Sequence, residues 1–207
     1  MTNRNIKKNK YIILASTSPQ RKKILRQASI RFKVIKSNLN ENLLIKKLNK
    51  LAFKDLAKVL ALSKAVSALR HSSNKNQIVA GFDTLVICKD TIISKPKNKK
   101  DALNKLLFLS NTTHSVITGI AIVASNKKAI LIDYEITKVK MKKIKKDEAI
   151  KYIQTGEPMN KAGGYAIQGK GEKFIKSIVG DYLNVVGLPL NKFILMLKKI
   201  SGHLTTS

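Results

Sequence analysis

The sequence is poor in cysteine, tryptophan, proline and acidic side chains: it has one Cys, no Trp, four Pro and 12 acidic residues among 207. The single Cys88 excludes an internal disulfide, and its place inside an apolar run predicts a buried thiol rather than a nucleophile. His71, His114 and His203 lack the spacing of a zinc site, with Cys88 or with each other. The chain also lacks a G-x-S-x-G elbow and a glycine-rich P-loop, so serine-hydrolase and Walker-type chemistry are not indicated.

No apolar run has the length of a membrane span, and the first ten residues, MTNRNIKKNK, have no apolar stretch of the signal-peptide kind. We therefore expect no membrane partner and a cytoplasmic location. Hydrophobic residues make up 43% of the chain against 26% charged, which predicts a globular protein. The length favours a single domain over residues 10–201, with flexible tails at 1–9 and 202–207.

The charge is strongly one-sided, since 41 Lys and Arg residues against 12 acidic ones give a net charge of +29. Such a balance is compatible with a nucleic-acid or anionic-membrane partner. Nearly all of it is lysine, however, and lysines scattered over every face keep a protein soluble rather than reading a sequence. We therefore do not expect nucleic acid as the main ligand. Arginine occurs at Arg4, Arg21, Arg26, Arg31 and Arg70.

Strand and helix patterns alternate along the chain, which predicts an α/β fold. The run from Tyr11 to Ala15 is typical of a buried strand, and Ser18 followed by Pro19 marks the start of a helix that ends near Ala28. Caps at Asn40, Asn98 and Asp147 predict three helices: one that begins at residue 41, one over residues 99–109 and one that ends at residue 154. Further helices are predicted at 53–70 and 189–200. Further strands are predicted at 31–35, 77–88, within 114–125 and at 129–141.

In the segment LASTSPQRKKIL (14–25), a hydroxyl-rich turn directly precedes the start of a helix. Free backbone N–H groups and the helix dipole favour phosphate at such a point. Ser16, Ser18 and Arg21 add side-chain donors, and a guanidinium can bind two phosphate oxygens at once. Ordinary capping by Ser18 explains the same pattern, so both interpretations stay open.

Asp83 stands in the middle of the apolar strand AGFDTLV, where a charge is costly unless a polar group or a metal meets it. It is therefore a candidate general base or metal ligand, with a structural role as the alternative. Glu41, at a helix start, is open to the same two interpretations. Lys64 and Lys95 could neutralise a polyphosphate, but spacing does not select them among so many lysines.

The stretch NKAGGYAIQG (160–169) combines paired glycines with Tyr165 and Gln168. Such a segment lets the backbone approach a ligand while a carboxamide recognises its donors and acceptors, although a plain tight turn is the alternative.

Taken in order, these segments resemble the Maf family of nucleoside triphosphate pyrophosphatases, and the resemblance covers nearly the whole chain. The matching segments are LASTSPQRKKIL, LSKAVSA, AGFDTLV, SKPKNKKDALNKLLFLSNTTHSVITGIAIV and YIQTGEPMNKAGGYAIQGKGEKFIKSIVGDYLNVVGLPL. The resemblance implies the α/β fold that Maf proteins share with inosine triphosphate pyrophosphatases: a bent central mixed sheet flanked by helices, and two lobes with a cleft. It also implies hydrolysis of a nucleoside triphosphate to the monophosphate and pyrophosphate, a divalent cation (Mg²⁺ or Mn²⁺) and, from the family's tendency to dimerise, a homodimer.

Carried over residue by residue, the resemblance makes Asp83 the catalytic proton acceptor, and Glu41 with Asp83 the metal-binding carboxylates. The family's usual D-E pair stands here as Asn40-Glu41. The positions expected to bind the triphosphate are Ser16, Ser18, Arg21, Lys64 and Lys95.

Specificity in the family depends on three positions, which here are Arg21, Thr84 and Gln168. This set is similar to that of the dTTP and UTP branch, with modified pyrimidine nucleotides as a further substrate class. Gln20 stands where the family usually has the first of two arginines, while Lys22 and Lys23 are expected to be solvated. The alternative function is a regulatory or binding role in septum formation or cell-division arrest, with DNA or protein partners.

Overall fold

The computed structural model describes residues 11–72, 77–124 and 129–202. The strands in these residues are β1 (Ile12–Leu14), β2 (Phe32–Val34), β3 (Ile78–Cys88), β4 (Thr91–Ile92), β5 (Thr113–Ala124), β6 (Ala129–Met141) and β7 (Ile175–Val179). The α-helices are α1 (Pro19–Gln27), α2 (Glu41–Lys47), α3 (Phe53–Arg70), α4 (Lys99–Leu109), α5 (Lys146–Gln154), α6 (Tyr182–Val186) and α7 (Leu190–Gly202). Short 3₁₀ helices lie at Glu157–Asn160, Ala162–Gly164 and Lys170–Phe174.

The strands form one mixed sheet in the order β2-β1-β3-β5-β6-β7, with β4 added to β3. β1 runs parallel to both β2 and β3, and the long strands β3, β5 and β6 are antiparallel to their neighbours. In this register Asp83 of β3 lies opposite Gly119 of β5. The expectation of an α/β fold with a mixed sheet flanked by helices is confirmed.

One edge of β3 is only partly paired. β1 pairs with Val79 and Ala80 at one end of β3, and β4 pairs with Ile87 and Cys88 at the other. Among the described strands, none covers residues 81–86 along this edge. Within this segment Thr84 is partly exposed, while the residues on either side of it are buried.

Helices cover both faces of the sheet. Helix α3 packs on one face, where small residues such as Ala61 and Ala65 meet Val79 and Ala121. On the other face, α1 and α7 form a cluster around Phe82 at one end. Helices α4 and α5 form a separate cluster around Cys88 and Val116 at the other end. The uncovered part of β3 lies between these two clusters.

The local capping signals predict the helix starts well. The side chains of Ser18, Asn40 and Asn98 accept backbone N–H bonds at the starts of α1, α2 and α4. The predicted cap at Asp147 is wrong, because α5 already begins at Lys146 and the Lys145 N–H donates to the Glu148 carboxylate instead. A carboxylate three residues after a helix start commonly reaches back in this way.

Several expectations concern less regular parts of the chain. β7 and α6 were not predicted; the first has three exposed residues of five, and the second is only five residues long. Cys88 is buried as predicted. The predicted tails lie outside the described residues, apart from Gly202 at the end of α7. No helix in the described part of the chain has the length and apolar character needed to cross a bilayer.

Candidate functional site

A cavity of about 780 Å³ lies against the uncovered edge of β3. Its lining includes every residue that the sequence singled out for binding, catalysis or specificity. These residues are Ser16, Ser18, Arg21, Glu41, Lys64, Asp83, Thr84, Lys95 and Gln168. Positions spread over more than 150 residues of sequence therefore meet on one surface.

Two glycines allow α3 to approach the sheet closely enough to contribute to this surface. A Cβ atom on Gly81 would lie 2.1 Å from the carbonyl oxygen of Ala61, and one on Gly119 would lie 2.1 Å from that of Ala57. Any side chain at either position would push the helix away. This contact holds Lys64, one turn along α3 from Ala61, over Asp83.

Asp83 and Lys64 form a buried ion pair. The Lys64 ammonium lies 2.5 Å from an Asp83 carboxylate oxygen and 3.0 Å from an oxygen of Glu41. Asp83 is 4% exposed, whereas the Glu41 side chain is 49% exposed. Two carboxylates from different elements thus converge on one ammonium at the wall of the cavity. The buried charge of Asp83 is thus met by a cation, as its apolar surroundings require.

Arg21 is buried beneath the loop that precedes α1, where most of its guanidinium N–H groups donate to acceptors of the protein itself. Its Nε donates to the Gly187 carbonyl (2.8 Å) and its Nη1 to the Phe82 carbonyl (3.0 Å). Nη1 also donates to Ser16 Oγ (3.1 Å), and Nη2 donates to Thr84 Oγ1 (3.0 Å). These four bonds leave one of the five guanidinium N–H groups for a ligand. A two-oxygen contact with phosphate, as the sequence suggested, requires Arg21 to give up one of these partners.

Burial lowers the pKa of Arg21, and the nearby charges of Asp83 and Glu41 oppose this shift. The bond to the Phe82 carbonyl also has a structural role, because that carbonyl belongs to the β3 segment without a strand partner on this edge. Arg21 therefore ties the first helix to the open edge of the sheet.

Thr84 begins a chain of polar contacts that leads into the interior. Its hydroxyl accepts from Arg21 and lies 2.9 Å from the hydroxyl of Thr118. Thr118 in turn donates to the carbonyl of Asn184, whose side-chain amide donates to Thr137 (3.0 Å). Neighbouring residues of β3 point to opposite faces of the sheet, so Asp83 and Thr84 present different chemistry at the same edge.

The hydroxyls of the opening loop have internal partners. Ser16 Oγ accepts from the backbone N–H of Ser18, and Ser18 Oγ accepts from that of Arg21. The Ser18 hydroxyl also donates to the side-chain oxygen of Gln20 at 3.2 Å. Helix capping by Ser18 is therefore confirmed, and the same loop lines the cavity. The two interpretations of this segment are compatible.

The cavity lining includes lysines that sequence reasoning did not select. Lys36 and Lys161 belong to this group, and Lys23, which is exposed as expected, also lines the cavity. Lys23 is four residues after Pro19 and so shares the face of α1 that meets the cavity. Burial lowers the pKa of Lys161; the charge of Glu157 opposes this shift and that of Lys95 adds to it. In the sequence, only the position of Lys161 beside the paired glycines indicates that this lysine could line a binding site.

Gln168 lies on the wall opposite α3, in the segment that follows the paired glycines. The neighbouring Tyr165 is 5% exposed, and its hydroxyl lies 2.7 Å from Nε2 of His114. Ala166 and Ile167 also line the cavity, while Gln168 itself is exposed. An exposed carboxamide on a wall with buried neighbours can face a ligand while its backbone stays fixed.

The carboxylates fit a divalent cation that is completed by a substrate. Within the described residues, no group of three or more His, Cys, Asp or Glu side chains could hold a metal ion. Glu41 and Asp83 nevertheless point to a common centre, as their shared contact with Lys64 shows. Mg²⁺ is commonly bound by one or two carboxylates together with substrate phosphates. The donor set therefore suits Mg²⁺ or Mn²⁺ only in the presence of a phosphate ligand.

Comparison with known proteins agrees with this geometry. A family model described as Maf-like protein matches residues 11–200. A dTTP/UTP pyrophosphatase of Alkaliphilus metalliredigens is 43% identical over 187 residues, covering 87% of this chain and 91% of that relative. Proteins of the same name from Geobacillus sp. and Aquifex aeolicus are each 40% identical, covering 92% of this chain and 98% and 95% of their own lengths. This chain belongs to the family of Maf-like proteins.

Proposed function

We propose that this protein hydrolyses dTTP and UTP to the corresponding monophosphate and pyrophosphate. Relatives of that name align with about nine-tenths of the chain. The structural observation that carries the proposal is that two adjacent residues of β3, Asp83 and Thr84, have different polar partners. Asp83 meets an ammonium and a second carboxylate, while the adjacent Thr84 meets the guanidinium of Arg21.

In this mechanism Asp83 accepts the proton of a water molecule that attacks the α-phosphorus. The bond between the α-phosphorus and the bridging oxygen breaks, and pyrophosphate leaves with the electron pair of that bond. Lys64, 2.5 Å from the Asp83 carboxylate, holds that carboxylate at the wall of the cavity, where it can accept the proton. The product balance is one water consumed, with one monophosphate and one pyrophosphate released.

The departing pyrophosphate gains negative charge in the transition state, which nearby cations and N–H donors stabilise. Lys95 and Lys161 line the cavity, as do the hydroxyls of Ser16 and Ser18. A bound divalent cation, held by Glu41 and Asp83, would supply further neutralisation of the phosphate oxygens.

In this proposal, the cavity wall that carries Gln168 recognises the base. The carboxamide of Gln168 can donate to and accept from a pyrimidine edge. Thr84 and Arg21 complete the specificity set, with Arg21 fixing the orientation of the Thr84 hydroxyl through their 3.0 Å bond. Modified pyrimidine nucleotides with the same edge are substrates of the same kind.

The test is a panel of nucleoside triphosphates with Mg²⁺ or Mn²⁺, in which phosphate is measured with and without added inorganic pyrophosphatase. We expect phosphate from dTTP and UTP only when the pyrophosphatase is present; orthophosphate without it would contradict the proposal. Asp83→Asn should lower kcat by about a thousandfold, the scale of a general base. Asp90→Asn, in the exposed turn between β3 and β4, makes the same chemical change and should leave kcat unaltered. The names of the relatives favour this hydrolase over a regulatory role in septum formation or division arrest.

A further inference from the structure

A buried tyrosine outside the cavity fixes the segment that carries Gln168. Tyr152, at the end of α5, is 2% exposed, and its ring packs edge-on against Phe174 with centroids 5.3 Å apart. Its hydroxyl accepts the backbone N–H of Ala166 at 3.0 Å, two residues before Gln168. The same hydroxyl donates to the carboxylate of Glu157 at 2.9 Å. One hydroxyl therefore fixes the segment on the amino-terminal side of Gln168.

Glu157 fixes the carboxyl-terminal side of Gln168. One of its carboxylate oxygens accepts from the N–H of Lys170 at 3.1 Å, and the other accepts from the N–H of Gly171 at 3.2 Å. The turn closes tightly around this carboxylate, since a Cβ atom on Gly169 would lie 2.8 Å from both oxygens. Gly169 also has a φ of +149°, which other residues rarely adopt. The carboxylate thus holds this turn closed through two backbone N–H groups.

The protonation of the Tyr152 hydroxyl suits this arrangement. Burial, followed by the bond to Glu157, raises the pKa of Tyr152, so its hydroxyl stays a donor through the neutral range. Neither Tyr152 nor Glu157 lines the cavity, whereas Ala166 and Gln168 both do. Apart from the charge of Glu157, which acts on Lys161, an effect of this pair on a substrate passes through the segment that it holds.

We propose that Tyr152 and Glu157 are positioning residues for nucleobase selection, which fix Gln168 at the height and direction needed to contact the base. This inference rests on the proposed function and names residues outside the cavity that determine its specificity. The phosphate-binding side, built from β3, α1 and α3, has no bond to this pair among the contacts of the described residues. Loss of the pair should therefore change the choice of base more than the chemical step.

The test compares dTTP with dGTP, in saturating Mg²⁺, for Tyr152→Phe and Glu157→Gln. We expect KM for dTTP to rise about tenfold, the scale of a lost hydrogen bond to a charged partner, with kcat changed less than about threefold. The preference for dTTP over dGTP in kcat/KM should fall by a similar factor. Tyr152→Phe keeps the net charge, so it separates loss of the bond from the influence of Glu157 on Lys161.

Matched controls are Tyr182→Phe and Glu172→Gln, which make the same changes at exposed positions near the same wall. Both should keep the wild-type preference. If one of the two test variants does not fold, as judged by circular dichroism, the other still decides the question.

Coupling to Gln168 distinguishes positioning from general support. Gln168→Ala should remove most of the preference for dTTP, and adding Tyr152→Phe to it should then change the preference no further. Additive effects, or an equal loss of kcat with every nucleotide, would overturn the inference while leaving the proposed function intact. Failure of the wild-type protein to release pyrophosphate from any nucleotide would overturn both.

Discussion

Lys64 and Asp83 form an ion pair of 2.5 Å across the packing surface between α3 and β3, and both side chains are more than 90% buried. Glu41, the second partner of Lys64, is half exposed and so remains largely solvated. Removing two charges from water is costly, and their mutual attraction offsets this cost only while both are present. The burial of each partner therefore depends on the other.

Lys64→Met should destabilise the protein by about 3 kcal/mol, because it leaves the buried Asp83 carboxylate without its cation. The double variant Lys64→Met/Asp83→Leu should regain most of this free energy of unfolding while remaining inactive. Urea denaturation at pH 7 measures both. Lys58→Met, which removes the partly exposed pair with Asp55 and a contact with the Tyr134 ring, should destabilise the protein much less. Equal losses in the two single variants would show that the buried pair has no special energetic role.

Gly119→Ala should lower both stability and kcat. Its Cβ would lie 2.1 Å from the Ala57 carbonyl oxygen, so α3 must shift and carry Lys64 away from Asp83. We expect a loss of about 1–3 kcal/mol, typical of overpacking, together with a clear fall in kcat. Gly156→Ala, where no atom lies within 4 Å of the new Cβ but φ is +74°, should cost about 1 kcal/mol without changing kcat. An unaltered kcat in Gly119→Ala would refute the link between the close approach and catalysis.

Gln20→Arg should lower KM for dTTP roughly tenfold, since a charge-assisted phosphate contact would replace a neutral amide in the cavity wall. We expect kcat to stay the same, because the added contact binds substrate and transition state alike. Steady-state kinetics at constant ionic strength provide the measurement. Gln27→Arg adds the same charge at the exposed end of α1 and serves as the control. No gain in kcat/KM over that control would count against a phosphate at this position.

His114 should make the protein less stable in mild acid. Burial lowers its pKa to about 4, whereas an exposed histidine titrates near 6.5. The unfolded chain therefore binds the extra proton first, and the free energy of unfolding falls as the pH drops from 6.5 towards 4. Between pH 7 and pH 5 the loss is roughly 2 kcal/mol.

The measurement is urea denaturation at pH 7 and pH 5 for wild type, His114→Phe and the exposed control His71→Phe. His114→Phe should lose about this much of the pH dependence, and the control should retain it. Parallel profiles for wild type and His114→Phe would contradict the assignment.

Local signals account for the parts of the fold that were predicted correctly. Ser18, Asn40 and Asn98 act within three residues of their own position, so their helix starts could be predicted from the sequence. The start of α5 could not, because Asp147 and Glu148 are adjacent carboxylates and only the folded turn selects Glu148 as the acceptor. β7 lies at the edge of the sheet and is mostly exposed, so it lacks the apolar alternation that identifies a strand.

The site required more than local signals. Asp83 could be selected from the sequence because acidic residues are scarce and its strand is apolar. Lys64 could not be selected by spacing, and only the resemblance to a family distinguished it from the other lysines. Its position depends on the contact of Ala61 with Gly81, a relationship between distant segments. Glu157 was missed for the same reason, because its partners at Lys170 and Gly171 meet it only through a closed turn.

The uncovered edge of β3 has a consequence for solubility as well as for binding. Unpaired strand edges are places where a foreign strand can add, which leads to aggregation. Here the Phe82 carbonyl, which such a strand would need, is already bonded to Arg21. Within residues 81–86, Asp83, Thr84 and Val86 line the cavity, whereas the Phe82 carbonyl is not free to pair with a further strand. Replacing Arg21 would free this carbonyl as well as alter the site, so the same guanidinium that organises the cleft also occupies an acceptor that an added strand would use.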